Sequence, residues 1–447
     1  MASDWIAPVH GGWHTPKSSW LFASARRWCH QPRSVAVVRI SKRQLLATAA
    51  AGLISSSAKA AFHMHGSGIG SGTLANNILL VYNTNSSDSL AVANYYVAHR
   101  PGMSGIDVLS ITCDTTEQTT FANFSSQIRT PIINWLAANP TKPKLYIILC
   151  RGIPTRTISA PVGTPSVSWL ISTNRTDASW AGGIGYDSSE YNAGQAFVNG
   201  GAGWGGLFGV PWNFTTASTY HDTRALVCTM DMGGSGTAAT FAYIDKIGAM
   251  HAAMATPNII VSATGASAGG SNYYLDSSNE YISNIVLSDK NLLISNASVA
   301  TGRITYTAYP TANISSGTNV TGYETFGANG SLPATYATDG TVVFSGQSNW
   351  YLIKTIESYN GQLTADGGGG GSQGNFERFF SSGAFGGTSY SNTPIGMAGH
   401  TDEPSATGVE AESYLVNWEN GYLAVECAWG SRCSVYFVFY GDPLIKR

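Results

Sequence analysis

Between Asn76 and Arg156 the chain alternates short apolar runs with stretches of helical periodicity. Ile78 to Tyr82 (ILLVY) is a continuous apolar run closed by the turn residues Asn83, Thr84 and Asn85. Ser87 and Asp88 supply a helix N-cap, and Leu90, Ala93, Asn94 and Val97 follow at helical spacing until Pro101-Gly102 stops them. Val108 to Thr112 is a second apolar run, Phe121 to Ala138 a second amphipathic segment, and Leu145 to Leu149 (LYIIL) a third run. Strands that are apolar on both faces and alternate with helices predict a parallel sheet covered on both sides. In such sheets ligands sit beyond the carboxyl ends of the strands. That rule marks Asn83, Asn85, Cys113, Cys150 and Arg151 as the place to look for a site.

Further along, Gly, Ser and Asn dominate residues 157–222, and residues 305–340 are again polar and rich in Gly, Ser and Thr. Both read as long loop insertions in one α/β domain spanning 61–447. Between them, Ala225 to Met230 predicts a strand ending at Asp231. Thr237 to Met254 predicts a helix with Phe241, Ile244, Ile247 and Met250 on one face. Ile259 to Ala263 reads as a strand, Glu280 to Leu287 as a short helix and Leu292 to Ser295 as a strand. Strands are expected at Val342 to Phe344, Tyr351 to Ile356 and Ser434 to Tyr440, and a helix at Val409 to Trp418. The predicted architecture is a three-layer α/β sandwich with a mainly parallel central sheet.

The first sixty residues differ in kind. They hold eight of the 24 Lys/Arg and one of the 26 Asp/Glu. Ser41-Lys42-Arg43 leads into the apolar stretch Leu45 to Ile54, and Ala58-Lys59-Ala60 has the small-residue pattern of a cleavage site. A run of that length is too short to span a bilayer. Residues 1–60 therefore read as an export signal behind a mis-assigned start or a long leader, with a twin-arginine-like motif, and the mature chain is expected in the periplasm or outside the cell. What remains has 16 Lys/Arg and 25 Asp/Glu, a net charge near −9. An acidic, sparsely charged domain lacks the basic face that nucleic acid requires. Five cysteines follow residue 60, an odd number: Cys113, Cys150, Cys228, Cys427 and Cys433, the last two flanking a five-residue loop.

Several short motifs occur in a fixed order. Asn83-Thr-Asn85-Ser86-Ser-Asp88-Ser89 follows the first strand, and Arg151-Gly152-Ile153-Pro154 follows the third. Asp231-Met-Gly233, Gly399-His400-Thr401-Asp402-Glu403-Pro404 and a closing Gly441-Asp442-Pro443-Leu444 come later. Together these resemble an uncharacterised family of secreted bacterial proteins, across most of residues 76–444. The layout is also distantly similar to cysteine peptidases of the caspase and gingipain type. That similarity implies an α/β sandwich with a His and a Cys at the ends of adjacent strands. No His-Gly follows a strand here, and Ser168 stands where the family pattern has Asp.

Two classes of function follow. A hydrolase of cysteine-peptidase-like architecture would use Cys150 as nucleophile and His400 as base, with Glu403 and Asp231 as carboxylate partners. A non-catalytic envelope or extracellular protein would bind a peptide or glycan through Asn83, Asn85, Arg151 and the aromatic insertion around Trp204. A third reading takes Gly265-Ala-Ser267-Ala-Gly269 as a nucleophile elbow, pairing Ser267 with His400, although no helix pattern follows it. No cofactor motif is evident. Asp187-Ser-Ser-Glu190 and Asp276-Ser-Ser-Asn-Glu280 gather oxygen ligands compatible with Ca2+ without a complete loop spacing.

Overall fold

The computed structural model describes residues 74–142, 144–158, 164–172, 225–277, 280–310, 313–363, 373–403, 411–431 and 434–447. All lie in the unit His63–Arg447. Among the described residues its centre is a ten-stranded sheet. The strands are β1 (Ile78–Asn83), β2 (Asp107–Ile111), β3 (Tyr146–Cys150), β4 (Leu226–Met230), β5 (Asn272–Asp276), β6 (Ile304–Thr307), β7 (Val320–Thr325), β8 (Leu352–Thr355), β9 (Gly396–His400) and β10 (Phe437–Gly441). Their spatial order is β2-β1-β3-β4-β10-β9-β8-β7-β5-β6. On one side β2, β1, β3 and β4 pair in parallel, and on the other β9, β8, β7, β5 and β6 do so.

β10 joins the two sets. It pairs antiparallel with β9 over five residues and meets β4 in a single parallel-type pair, Thr229 with Tyr440. One pair does not define a course, but the strand's ends do. Ser166 Oγ donates to the Phe437 carbonyl at its start, beside Thr164, which bonds Asp402 just past the end of β9. Asp442, just past its finish, is held by Arg100, which closes the helix returning from β1 to the start of β2. β10 as a whole therefore runs against the other nine strands, and the tips of both parallel sets share one edge.

Helices α1 (Ser87–His99), α2 (Thr130–Ala138), α3 (Val167–Ser172), α4 (Ala238–Ala253), α5 (Glu280–Asn296), α6 (Phe376–Phe379), α7 (Ala411–Glu419) and α8 (Ala424–Ser431) surround the sheet. Side chains alternate along a strand. Tyr440 stacks on Phe376 of α6, and Phe437 meets Trp429 of α8 edge-on, so these helices cover opposite faces. α1 and α4 lie together, with Tyr95 stacked on Phe241. β1, β3, β4 and β10 are buried almost throughout, as continuous apolar runs require. This is the α/β sandwich with a mainly parallel sheet that the chain's periodicity predicts.

Several expected elements differ. Residues 280–296 form one helix rather than a helix and a strand. Val286, Asp289 and Leu293 are buried at helical spacing straight through the stretch expected to be extended. Ile259 to Ala263 contributes only Val261–Ser262, which pairs with Ile445–Lys446 outside the main sheet. The segment 305–340, expected to be a loop, contains the fully buried β7. Its polar Thr321, Glu324 and Thr325 and its Gly322 conceal a central strand, and Gly322 leaves room for the Tyr273 ring. β9 (Gly-Met-Ala-Gly-His) is a further strand where the sequence pattern predicts none. Gly396 admits Leu352 and Phe439, and Gly399 admits Asn360. Residues 173–222, including Trp204, and the whole leader lie outside the described residues. Among the described residues no helix is long and apolar enough to cross a membrane.

Candidate functional site

A cleft of about 210 Å³ opens at the carboxyl ends of β1, β3 and β4. Three loops build it, and Asn83 at the tip of β1 ties them together. Its side chain is fully buried. Nδ2 donates to the carbonyls of Gly152 (2.7 Å), Asp114 (3.0 Å) and Cys113 (3.2 Å), while Oδ1 accepts from the amides of Cys113 and Asn85 (both 3.1 Å). Asn85 adds a bond from Nδ2 to the Cys113 carbonyl at 3.0 Å. Both asparagines are spent on the backbone, so they shape the cleft and do not line it.

Gly152, in the loop after β3, has φ +80°, and a Cβ there would fall on Ser86 Oγ, the N-cap of α1. Only glycine suits both the left-handed backbone and the close approach. Gly152→Ala is expected to cost at least about 2 kcal/mol. A chemical denaturation curve would check it, and a midpoint equal to wild type would refute this account.

Within the cleft Arg151 is the hub. Nε donates to Asp88 at 3.2 Å, Nη1 to Asp231 at 2.7 Å and to the Gly233 carbonyl at 3.3 Å, and Nη2 to the Gly234 carbonyl at 2.8 Å. Burial alone would lower the guanidinium pKa, but Asp231 and Asp88 outweigh it and hold the group above its ordinary value. Asp231 is buried just beyond β4. Burial pushes its carboxyl upward against the pull of Arg151 and of the Gly233 amide. Glu377 on α6 faces this turn and accepts from the Gly234 amide at 3.3 Å. Its carboxyl is pushed up to about 7, first by burial and also by Asp231. Glu117 completes the rim, in an ion pair with Arg156 at 3.0 Å.

Other predicted residues are placed differently. Cys150 is buried under the tip of β3, and burial, with Asp231 nearby, pushes its thiol far up. In the order β3-β4-β10-β9 it stands three strand spacings, about 14 Å, from His400. No Cys150–His400 hydrogen bond is formed. His400 is the last residue of β9, with its side chain 1% exposed. Its backbone amide donates to Asn360 Oδ1 and its carbonyl accepts from Gly361, both at 2.9 Å. Glu403 is exposed and accepts from Ser358 Oγ at 2.5 Å. Ser267 is exposed in the left-handed conformation, φ 51°, before the start of β5. β5 and β9 belong to one parallel set, so Ser267 and His400 lie at opposite edges and form no pair.

Asp276, of the candidate Ca2+ loop, accepts from Thr307 Oγ1 at 3.0 Å and from the Ile314 amide at 3.2 Å. Asp187 and Glu190 lie outside the described residues. Among the described residues no group of three or more His, Cys, Asp or Glu side chains is arranged to hold a metal ion. Cys113, Cys150, Cys228 and Cys427 are buried free thiols, and Cys433 lies outside the described residues.

Sequence reasoning missed Glu377, which follows a glycine tract and sits on a helix of four residues. The one local signal is Asn375, whose side chain caps that helix by accepting from the Arg378 amide. Comparison with family models, with curated proteins and with solved structures returns no match to this chain.

Proposed function

We propose that this chain is an exported binding protein without peptidase activity, built on a sandwich of the caspase and gingipain kind, and that its cleft takes a cationic peptide side chain. The observation that carries this reading is the Arg151–Asp231 ion pair. In peptidases of that type a His and a Cys occupy the ends of adjacent strands. Here the residues just beyond adjacent strands β3 and β4 are bonded to each other at 2.7 Å. A thiolate nucleophile needs a lowered pKa and an approachable sulfur. Cys150 has neither, being buried and shifted upward.

The cleft's charge supports the ligand class. Glu117 is paired with Arg156, and among the described lining residues Asp88, Asp231 and Glu377 face one cation, Arg151, whose Nε, Nη1 and Nη2 all bond the protein. An incoming lysine or arginine meets surplus negative charge, whereas an acidic group meets repulsion. The leader pattern of residues 40–60 supports export.

Calorimetric titration with lysine-containing peptides, against the same peptides acetylated on lysine, tests the proposal. The charged peptides are expected to bind and the acetylated ones not. Glu377→Gln keeps an acceptor for the Gly234 amide but loses the charge, and should weaken binding about tenfold, roughly 1.4 kcal/mol. The affinity should also fall as pH drops through about 7, because protonation of Glu377 removes a negative charge from the cleft. Equal binding of acetylated peptides would sink the ligand assignment. Peptide hydrolysis abolished by Cys150→Ala would sink the claim of inactivity.

A further inference from the structure

Where β7, β8 and α5 meet, three charged side chains are buried together. Lys354 on β8 stands directly across the ladder from Glu324 on β7. Its Nζ is 3.1 Å from Glu324 Oε1. Asp289 enters from α5, with Oδ2 3.7 Å from the same nitrogen, longer than a hydrogen bond. The three side chains are 0%, 0% and 1% exposed. Asp289 sits between the buried Val286 and Leu293 on the inward face of its helix.

All three groups lie in a medium that solvates charge poorly. Packing also holds the amine and the Asp289 carboxyl group within a few ångströms, the condition under which an intramolecular reaction gains most from proximity. Joining Lys354 to Asp289 removes two of the three buried charges at once.

We propose that Lys354 and Asp289 condense to an amide that crosslinks β8 to α5, with Glu324 as the proton carrier. Glu324 takes a proton from the Lys354 ammonium. The freed nitrogen attacks Asp289 Cγ, forming the C–N bond. The departing carboxyl oxygen receives that proton from Glu324 and the second from the nitrogen, and leaves as water. No oxidant or co-reactant enters. The carrier role suits Glu324, which is hydrogen-bonded to the reacting nitrogen.

Mass spectrometry of the denatured wild-type protein reads the outcome directly. The chain should weigh one water less than its sequence, and a protease digest should contain a branched peptide holding both Asp289 and Lys354. Lys354→Arg keeps the positive charge but should show the full mass, as should Glu324→Gln. A wild-type protein of full mass with the two peptides separate overturns the proposal, whether or not either variant folds. A water loss mapped to other residues overturns it equally.

Discussion

Asn83→Ala is expected to destabilise the protein by about 3–5 kcal/mol, measured as the shift in a urea or guanidinium unfolding curve. The reason is the number of groups that one buried amide serves. Its nitrogen reaches three carbonyls and its oxygen accepts from two amides, all from loops that form the cleft. A buried polar group left without a partner costs about 1–3 kcal/mol. The carbonyls of Asp114 and Gly152 are partly buried and water can reach them, which keeps the total below the full sum. Asn83→Asp, nearly the same in shape, should be no milder, since a carboxylate would face three carbonyl oxygens without a proton to donate. Glu377→Gln, in the same cleft, should leave the unfolding curve near wild type. If Asn83→Ala shifted stability by less than about 1 kcal/mol, the asparagine would not be the tie between the loops.

Arg100→Met is expected to cost a further 3–5 kcal/mol or so, at the opposite edge of the sheet. Arg100 and Asp442 are both fully buried, and the guanidinium grips the carboxylate through two bonds, at 3.0 and 3.1 Å. Tyr96 Oη donates to the same carboxylate at 2.7 Å, and the Leu444 amide does so at 2.8 Å. The Asp442 amide donates to Tyr243 Oη at 2.7 Å, so α1, α4 and the C-terminal segment meet at this point. Removing the cation leaves a desolvated carboxylate. Removing both charges does not, so Arg100→Met combined with Asp442→Leu should recover part of the loss. A double-mutant cycle on denaturation free energies tests this. Simple additivity of the two single losses would count against the ion pair as the cause.

This network gives the closing Gly441-Asp442-Pro443-Leu444 a structural meaning. A motif noted for its place in the chain is the anchor of the last strand, not part of the cleft. Asn83 at the end of β1, Asn85 after it and Gly152 after β3 have a structural meaning too, although Gly152 lines the cleft. They are conformational and bonding requirements of the loops that carry Arg151 and Asp231.

What could be read from the chain followed from period. ILLVY, LYIIL and ALVCTM are continuous apolar runs between helical stretches, and they became β1, β3 and β4. The rule that ligands gather at strand ends marked Asn83, Asn85, Cys113, Cys150 and Arg151, and of these Arg151 lines the cleft. Period failed where side chains are missing or polar. β9 holds two glycines in five residues and β7 holds Thr321, Glu324 and Thr325, so neither looked like a buried strand. Their burial depends on neighbours far along the chain, such as Lys354 for Glu324 and Asn360 for the backbone of His400.

The amino-acid sequence by itself determined that a parallel sheet would form, which of its edges carries polar tips, and that the domain is acidic. Local period and composition are properties of neighbouring residues, and they suffice for that. Only the tertiary structure decided which tips face one another. It set Arg151 against Asp231, brought Glu377 to them from another segment, and kept His400 several strands from Cys150. Strand order is fixed by long-range packing, to which no short stretch of chain holds the key.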